Sequence, residues 1–283
     1  MTTSTPANAP LRVPYLGLTP TATEIANGEN YKYNSLQATV RKQLSYGLQL
    51  QGSYTWSRAF IQAPYGINVY PYEIQQYEPN DNYRPQRFVL NYLWNLPLGR
   101  HAGILGKLAE GWSWSGVFTL QDGYPITVVD GRAGSVFCGG GGCNGGGFTA
   151  TANFCPGVTN ILSSGSMQDR VTSGLTGGSG YFAPGVFCAP PSITGTGNSG
   201  TLFGNAAGGI VLGPAQNNWD MSLSKLINIR ESQSVQFRTE FFDAFNHPQF
   251  SLPSASVNGG SLGVITATSV SPRIIQLALK YSF

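Results

Sequence analysis

Read backward from its end, the chain alternates apolar and polar side chains with a period of two. In the last eleven residues, RIIQLALKYSF (273–283), Ile275, Leu277, Leu279, Tyr281 and Phe283 share one face. Gln276, Ala278, Lys280 and Ser282 share the other. That period belongs to a β-strand, whose successive side chains point to opposite sides of the sheet. The pattern recurs upstream. Val235, Phe237, Phe241 and Phe245 oppose Gln236, Arg238, Glu240 and Asn246, and Trp219, Met221, Leu223 and Ile227 oppose Asp220, Ser222, Ser224 and Asn228. Trp112, Trp114, Phe118 and Leu120 oppose Ser113, Ser115, Thr119 and Gln121. Phe88, Leu90, Tyr92, Trp94 and Leu96 oppose Arg87, Asn91 and Asn95. Leu48, Leu50, Tyr54 and Trp56 oppose Gln49, Gln51, Ser53 and Thr55, and the first segment sets Leu36, Ala38, Val40 and Leu44 against Gln37, Thr39 and Arg41. The alternation predicts seven strands, each apolar on one side only.

The connections alternate in length as well. Ser45-Tyr46-Gly47 is a tight turn, and 61–84 is a long loop. Residues 97–110 form a medium turn with room for a short helix from Ile104 to Ala109. A very long segment, 124–215, follows; then come a tight turn at Arg230-Glu231-Ser232 and a long loop, 248–271. Short periplasmic turns and longer outer loops are the rule in outer-membrane barrels. With the long loops outside, Phe283 falls on the periplasmic side.

Composition sharpens the choice between a soluble sandwich and a membrane barrel. Charged residues make up 10% of the chain, against about 25% in soluble domains. Something other than water must therefore cover much of the exterior. No run approaches the ~18–20 continuous apolar residues of a membrane helix. Trp and Tyr near strand ends (Trp56, Trp94, Trp112, Trp219 and Tyr281) fit aromatic girdles at the two membrane interfaces. The expected fold is all-β: an antiparallel transmembrane β-barrel portion with long extracellular loops. Seven strands are too few to close a single-chain bacterial barrel, which starts at eight. The opening residues, MTTSTPANAP, lack the basic and apolar regions of a secretion leader. Together these features predict an incomplete barrel, with 1–30 as an N-terminal extension within an extracellular loop and 31–283 as partial barrel.

Candidate chemistry is sparse. Cys138, Cys143, Cys155 and Cys188 all lie in the very long loop, where four cysteines permit three disulfide connectivities. An oxidising exterior favours disulfides, stapling a Gly-rich segment expected to have no core of its own. The preferred pairing is Cys138–Cys143 with Cys155–Cys188. Zinc is the rival reading; it is opposed by the absence of a CxxC pair and of any histidine in the segment. The run GGGGCNGGG (139–147) lacks the Lys-Ser/Thr of a phosphate loop and reads as a flexible loop. His101 sits in a turn, and His247, before Pro248, suits a turn. No catalytic constellation or cofactor motif emerges, so no enzyme is expected. The net charge of +3, without a basic cluster, argues against nucleic acid as a partner. Arg87, Asp220, Arg238, Glu240 and Lys280 are expected to face the lumen, where mutual pairing, hydration or contact with a plug accounts for them more simply than a substrate path.

The stretches YNSLQATVRKQLSYGLQLQGSYTWSR (33–58), DNYRPQRFVLNYLWNLPLG (81–99) and GWSWSGVFTLQDGYPITV (111–128) resemble the C-terminal barrel of TonB-dependent receptors, specifically the Oar-like branch with a carboxypeptidase-regulatory-like N-terminal domain. So do NNWDMSLSK (217–225), QFRTEFFDAFNHPQF (236–250) and the terminal strand. The resemblance covers most of 31–283 in order. It implies a 22-stranded barrel with a plug, powered through the TonB complex. It also implies that Phe283, Tyr281, Leu279 and Leu277 are read by the barrel-assembly machinery, although the same residues would face lipid in any case. No TonB box, plug or regulatory domain is expected within these residues. The reading is therefore one arc of an outer-membrane transporter wall, with loops serving uptake of a siderophore, glycan or peptide. A structural or adhesive surface barrel, with the Cys-stapled loop as its functional element, is the alternative.

Overall fold

A computed structural model describes residues 30–62, 66–67, 78–79, 82–98, 103–130, 148–189, 204–230 and 232–283. The N-terminal extension, Cys138, Cys143, the run 139–147 and His101 lie outside the described residues.

The seven long strands are β1 (Asn30–Ser45), β2 (Leu48–Gln62), β3 (Gln86–Asn95), β4 (Trp112–Gln121), β5 (Gln216–Arg230), β6 (Gln233–Phe242) and β7 (Ile274–Ser282). They pair in chain order as one antiparallel meander, and a two-residue segment, Glu78–Pro79, adds to β2. β1 and β7 do not pair with each other, so the sheet is not closed. The β1–β2 connection is a two-residue turn in which Tyr46 and Gly47 take positive φ (51° and 77°), the geometry that matches strand twist.

The registers merge the separate alternations into two continuous faces. Leu36 lies opposite Trp56, Leu50 opposite Tyr92, and Leu90 opposite Phe118. Phe118 faces Trp219, Met221 faces Phe241, and Phe241 faces Ile275. Directly opposite residues share a face, so one side of the sheet is apolar from edge to edge and the other is polar. A slip of one residue at any pairing would invert that strand.

Trp219, one of the five aromatics near strand ends, joins a larger ring cluster. Trp114, Tyr92, Trp219 and Phe118 form one connected cluster on the apolar face, with ring centroids 5.0–6.4 Å apart. Gly116 makes the room. A Cβ there would stand 2.5 Å from the Asp220 carbonyl oxygen and 2.7 Å from the Tyr92 hydroxyl. Tyr92 lies over this gap, and its hydroxyl accepts a hydrogen bond from Trp219 Nε1 at 3.0 Å. Rings covering a strand glycine restore the contacts that its missing side chain gives up.

Three local expectations change. β6 stops at Phe242, short of Phe245 and Asn246, because Asp243 and Asn246 take positive φ (47° and 52°). Such short polar residues tolerate the left-handed region by bonding locally. Asp243 accepts from the His247 amide at 3.1 Å, while Phe245 still packs on Trp219. The medium turn holds α1 (Gly103–Ala109), one residue longer than expected. Lys225, which the alternation reading passed over, projects from the apolar face yet is only 5% exposed. Its ammonium donates to the carbonyls of Leu108 (3.0 Å) and Glu110, just beyond α1. Unpaired carbonyls at a helix C-terminus suit a cation, which is how a charge is accommodated on this face.

Gly116→Val should force Tyr92 off the gap and break the Trp219–Tyr92 bond, costing about 1–3 kcal/mol as overpacking. Thermal unfolding followed by tryptophan fluorescence would show it as a lower midpoint; an unchanged midpoint would mean that the aromatic layer is loosely packed.

Candidate functional site

Beyond the long-loop ends of the strands, the two longest connections condense into a cap. Val128, Ala152, Val171, Phe182, Val186, Phe187 and Ile265 are buried together there. The very long loop, expected to lack a core, therefore contains one. Its apolar residues are scattered without period among glycines and prolines, and Ile265 comes from the separate loop after β6. Their meeting is a tertiary event.

The cap also holds a helix, α2 (Met167–Leu175), that alternation could not show. Ser166 and Asp169 form a capping box at its start. The Ser166 side chain and backbone hold the exposed Asp169 carboxyl below its usual range. The chain closes on itself where Tyr181 N donates to Gly263 O at 2.8 Å. A Cβ on Gly180 would lie 2.4 Å from that same oxygen, so the approach requires glycine. Cys155 and Cys188 are joined by a disulfide across a short ladder pairing Phe154 with Phe187.

A belt of hydrogen bonds attaches this cap to the strand ends, and Arg84 is its hub. The guanidinium donates to the Asp122 carbonyl and to Gln216 Oε1 (3.1 Å), and lies 3.9 Å over the Tyr124 ring. Gln216 Oε1 also accepts from Gln121, and Gln216 Nε2 donates to Ser269 at 2.7 Å. Buried Gln249 continues the belt by accepting from Asn217 N at 2.6 Å. In the sequence Arg84 stands at the end of the long 61–84 loop. Its one local signal is the following Pro85, which disfavours helix at Arg84 but says nothing about partners.

Between rim and cap lies an open groove of about 470 Å³. Trp56, Tyr83, Arg58, Gln86 and Asp122 border it on the wall side, and Gly208, Gly209, Ile210 and Leu212 contribute from the cap. Flat aromatic surfaces beside charged and amide groups suit a polar ligand that stacks.

A family model for the outer membrane beta barrel domain matches residues 1–276. The chain belongs to the outer membrane beta barrel domain family. No curated protein and no solved structure matches it.

Membership gives the two faces their meaning: in outer-membrane barrels the apolar side meets lipid and the polar side the lumen. Arg87, Asp220, Arg238, Glu240 and Lys280 all fall on the polar side by register. Only one ion pair joins any of them among the described residues, Arg238 Nε to Glu240 Oε1 at 3.3 Å. Asp220 instead accepts from the Asp243 amide (2.9 Å) and from Asn218 (3.1 Å). Leu277, Leu279, Tyr281 and Phe283 lie along the lipid side of β7, and the last two rings stack 5.8 Å apart.

Two outcomes follow for the cap. Arg84→Ala should leave the barrel strands intact while loosening the cap, by about 1.5–3 kcal/mol for hydrogen bonds from a charged group. Limited proteolysis should then cut within 148–215 faster than in the parent; equal rates would show that the belt carries little. Burial raises the Tyr181 phenol above 10.0, against an opposing influence of Arg170. The folded cap thus prefers the protonated phenol. That stability is complete below the unfolded value and is lost as pH rises through the folded one. Cap proteolysis should accelerate above about pH 10 in the parent and less steeply in Tyr181→Phe.

Proposed function

We propose that the chain is a C-terminal wall segment of a TonB-dependent outer-membrane transporter, serving uptake rather than catalysis. The observation that carries this is the open sheet: its two faces suit lipid and lumen, yet its edges, β1 and β7, are unpaired with each other. An open edge in lipid leaves backbone groups unsatisfied at several kcal/mol each, so the functional unit needs further strands beside these two. The cap and its groove would supply the outer binding face. A plug inside the completed barrel would meet the polar face, and the TonB complex would act through that plug. Sequence resemblance in 33–58, 81–99, 111–128 and the terminal strand supports the same reading. β7, with Phe283 last, would engage the barrel-assembly machinery.

Uptake by such a machine stops when the inner membrane is de-energised. Cells producing the full-length protein should import one of a labelled ferric siderophore, oligosaccharide or peptide set, and a protonophore should abolish import. Import that persists with the protonophore would point to a passive pore. The separately packed, disulfide-linked cap favours a second reading, a surface adhesin. That reading gains if cells deleted for the protein lose attachment while uptake of all three sets is unchanged.

A further inference from the structure

The hydrogen-bonding side chains that border the groove between rim and cap are unequal in kind. Trp56, Tyr83, Arg58 and Gln86 can each donate, and Asp122 is the one carboxylate. The Gln86 side-chain oxygen already accepts from the Tyr54 hydroxyl at 2.8 Å, which leaves its amide hydrogens for another partner. Among the described residues, the Trp56 indole, the Arg58 guanidinium and the Asp122 carboxylate make no hydrogen bond. A donor-rich surface with one acidic group calls for a ligand rich in acceptors, whose only charge is positive.

The donors are set in a row. Trp56 pairs directly with Gln86 across β2 and β3, and Arg58 stands two residues on along β2, so the three side chains share a face. About 7 Å of strand separates Trp56 from Arg58. Pro79, Pro85 and Pro125 supply rigid apolar surface beside them. The walls are held before any ligand arrives. Ser57 N donates to Pro85 O at 2.8 Å, Asp122 N to Gln86 O at 3.0 Å, and Gly209 N to Thr127 Oγ1 at 2.8 Å. Gly209 takes a positive φ of 58°, and a Cβ there would stand 2.7 Å from Pro79 Cβ and 3.1 Å from Pro125 Cβ. Glycine thus lets the cap close directly over two prolines. A groove held this way gives up little freedom when it binds.

Aromatic and proline surfaces that flank hydrogen-bond donors suit one kind of chain above others, the polyproline II helix. Proline has no N–H, so a proline-rich segment presents carbonyl acceptors all round and almost no donors. Its extended conformation exists before binding, and three residues of it span about 9 Å. A sugar ring, by contrast, donates as well as accepts at every hydroxyl, and donors outnumber acceptors here. An anionic chelate would lose to Asp122 what it gains from Arg58. A basic residue in a proline-rich peptide would meet the free Asp122 carboxylate.

We propose that the groove binds a proline-rich peptide in the polyproline II conformation. Its proline rings pack on Trp56 and Tyr83, its carbonyls accept from Trp56 Nε1, Arg58 and Gln86, and a basic side chain of the peptide pairs with Asp122. As the cargo of a transporter the peptide rests on the uptake reading; as the ligand of the groove it does not.

Full-length protein extracted from outer membranes in mild detergent would be titrated with a labelled oligoproline carrying one arginine, followed by fluorescence anisotropy. The controls are the same peptide with glycine at every proline and a labelled neutral oligosaccharide. Saturable binding of the proline peptide alone is expected. Trp56→Ala should weaken it about thirtyfold, the loss usual where a tryptophan anchor is truncated. Asp122→Asn should weaken it about threefold, and should leave binding of an oligoproline without arginine unchanged. Lys280→Gln, on the lumen face, should match the parent. Heat-dependent gel migration would establish that each variant is folded. Equal affinity of the parent and Trp56→Ala would overturn the proposal. So would a glycine peptide that binds as tightly as the proline peptide, or a parent that prefers the oligosaccharide. A parent that binds no peptide while cells import another solute would overturn it and leave the uptake reading standing. Peptide binding without peptide import would remove the cargo role and keep the groove's ligand.

Discussion

Each backbone N–H and C=O that enters the hydrocarbon must find its partner in another strand, because lipid offers none. The ladders from β1 to β7 follow from that requirement, and so does the alternation along every strand. Once the ladder holds a strand flat between two neighbours, its side chains have only two directions to take. Leu90, Phe118, Trp219 and Ile275 take the lipid side, and Asn91, Asp220 and Gln276 take the other. The same requirement makes the unpaired edges of β1 and β7 the most consequential feature of the molecule. On the proposed reading, further strands would satisfy these edges in a membrane.

The constraint relaxes at the rim. Beyond the strand ends water can solvate backbone groups, and the chain is free to turn, form α2 and bury side chains conventionally. The cap uses that freedom, packing Phe182, Val128 and Ile265 into a core that belongs to neither loop alone. The belt around Arg84 lies at the seam between the two regimes. There, half-buried polar groups have neither lipid nor bulk water around them and bond to one another. Lys225 marks the corresponding seam at the other end, where α1 supplies carbonyls to a cation that would otherwise face lipid.

Period, sign and spacing make the wall readable from the sequence. A side chain on a membrane strand is chosen largely by which face it meets, and that choice repeats every second residue. Seven strands and their order are legible for this reason. The extent of β6 is not, since the left-handed turns at Asp243 and Asn246 interrupt an alternation that Phe245 continues only by coincidence of parity. The alternation assigns no role to Gly116; that Tyr92 and the tryptophans close over it depends on three strands in register.

The cap was decided by tertiary structure alone. No local period relates Val171 to Ile265, or Arg84 to Gln216, because contacts between loops depend on where distant segments meet rather than on a repeating geometry. The sequence by itself determined the wall, because hydrogen bonding in lipid imposes one regular solution on it. Only the folded chain could decide the cap, the groove and the belt, where water allows many solutions and packing selects among them.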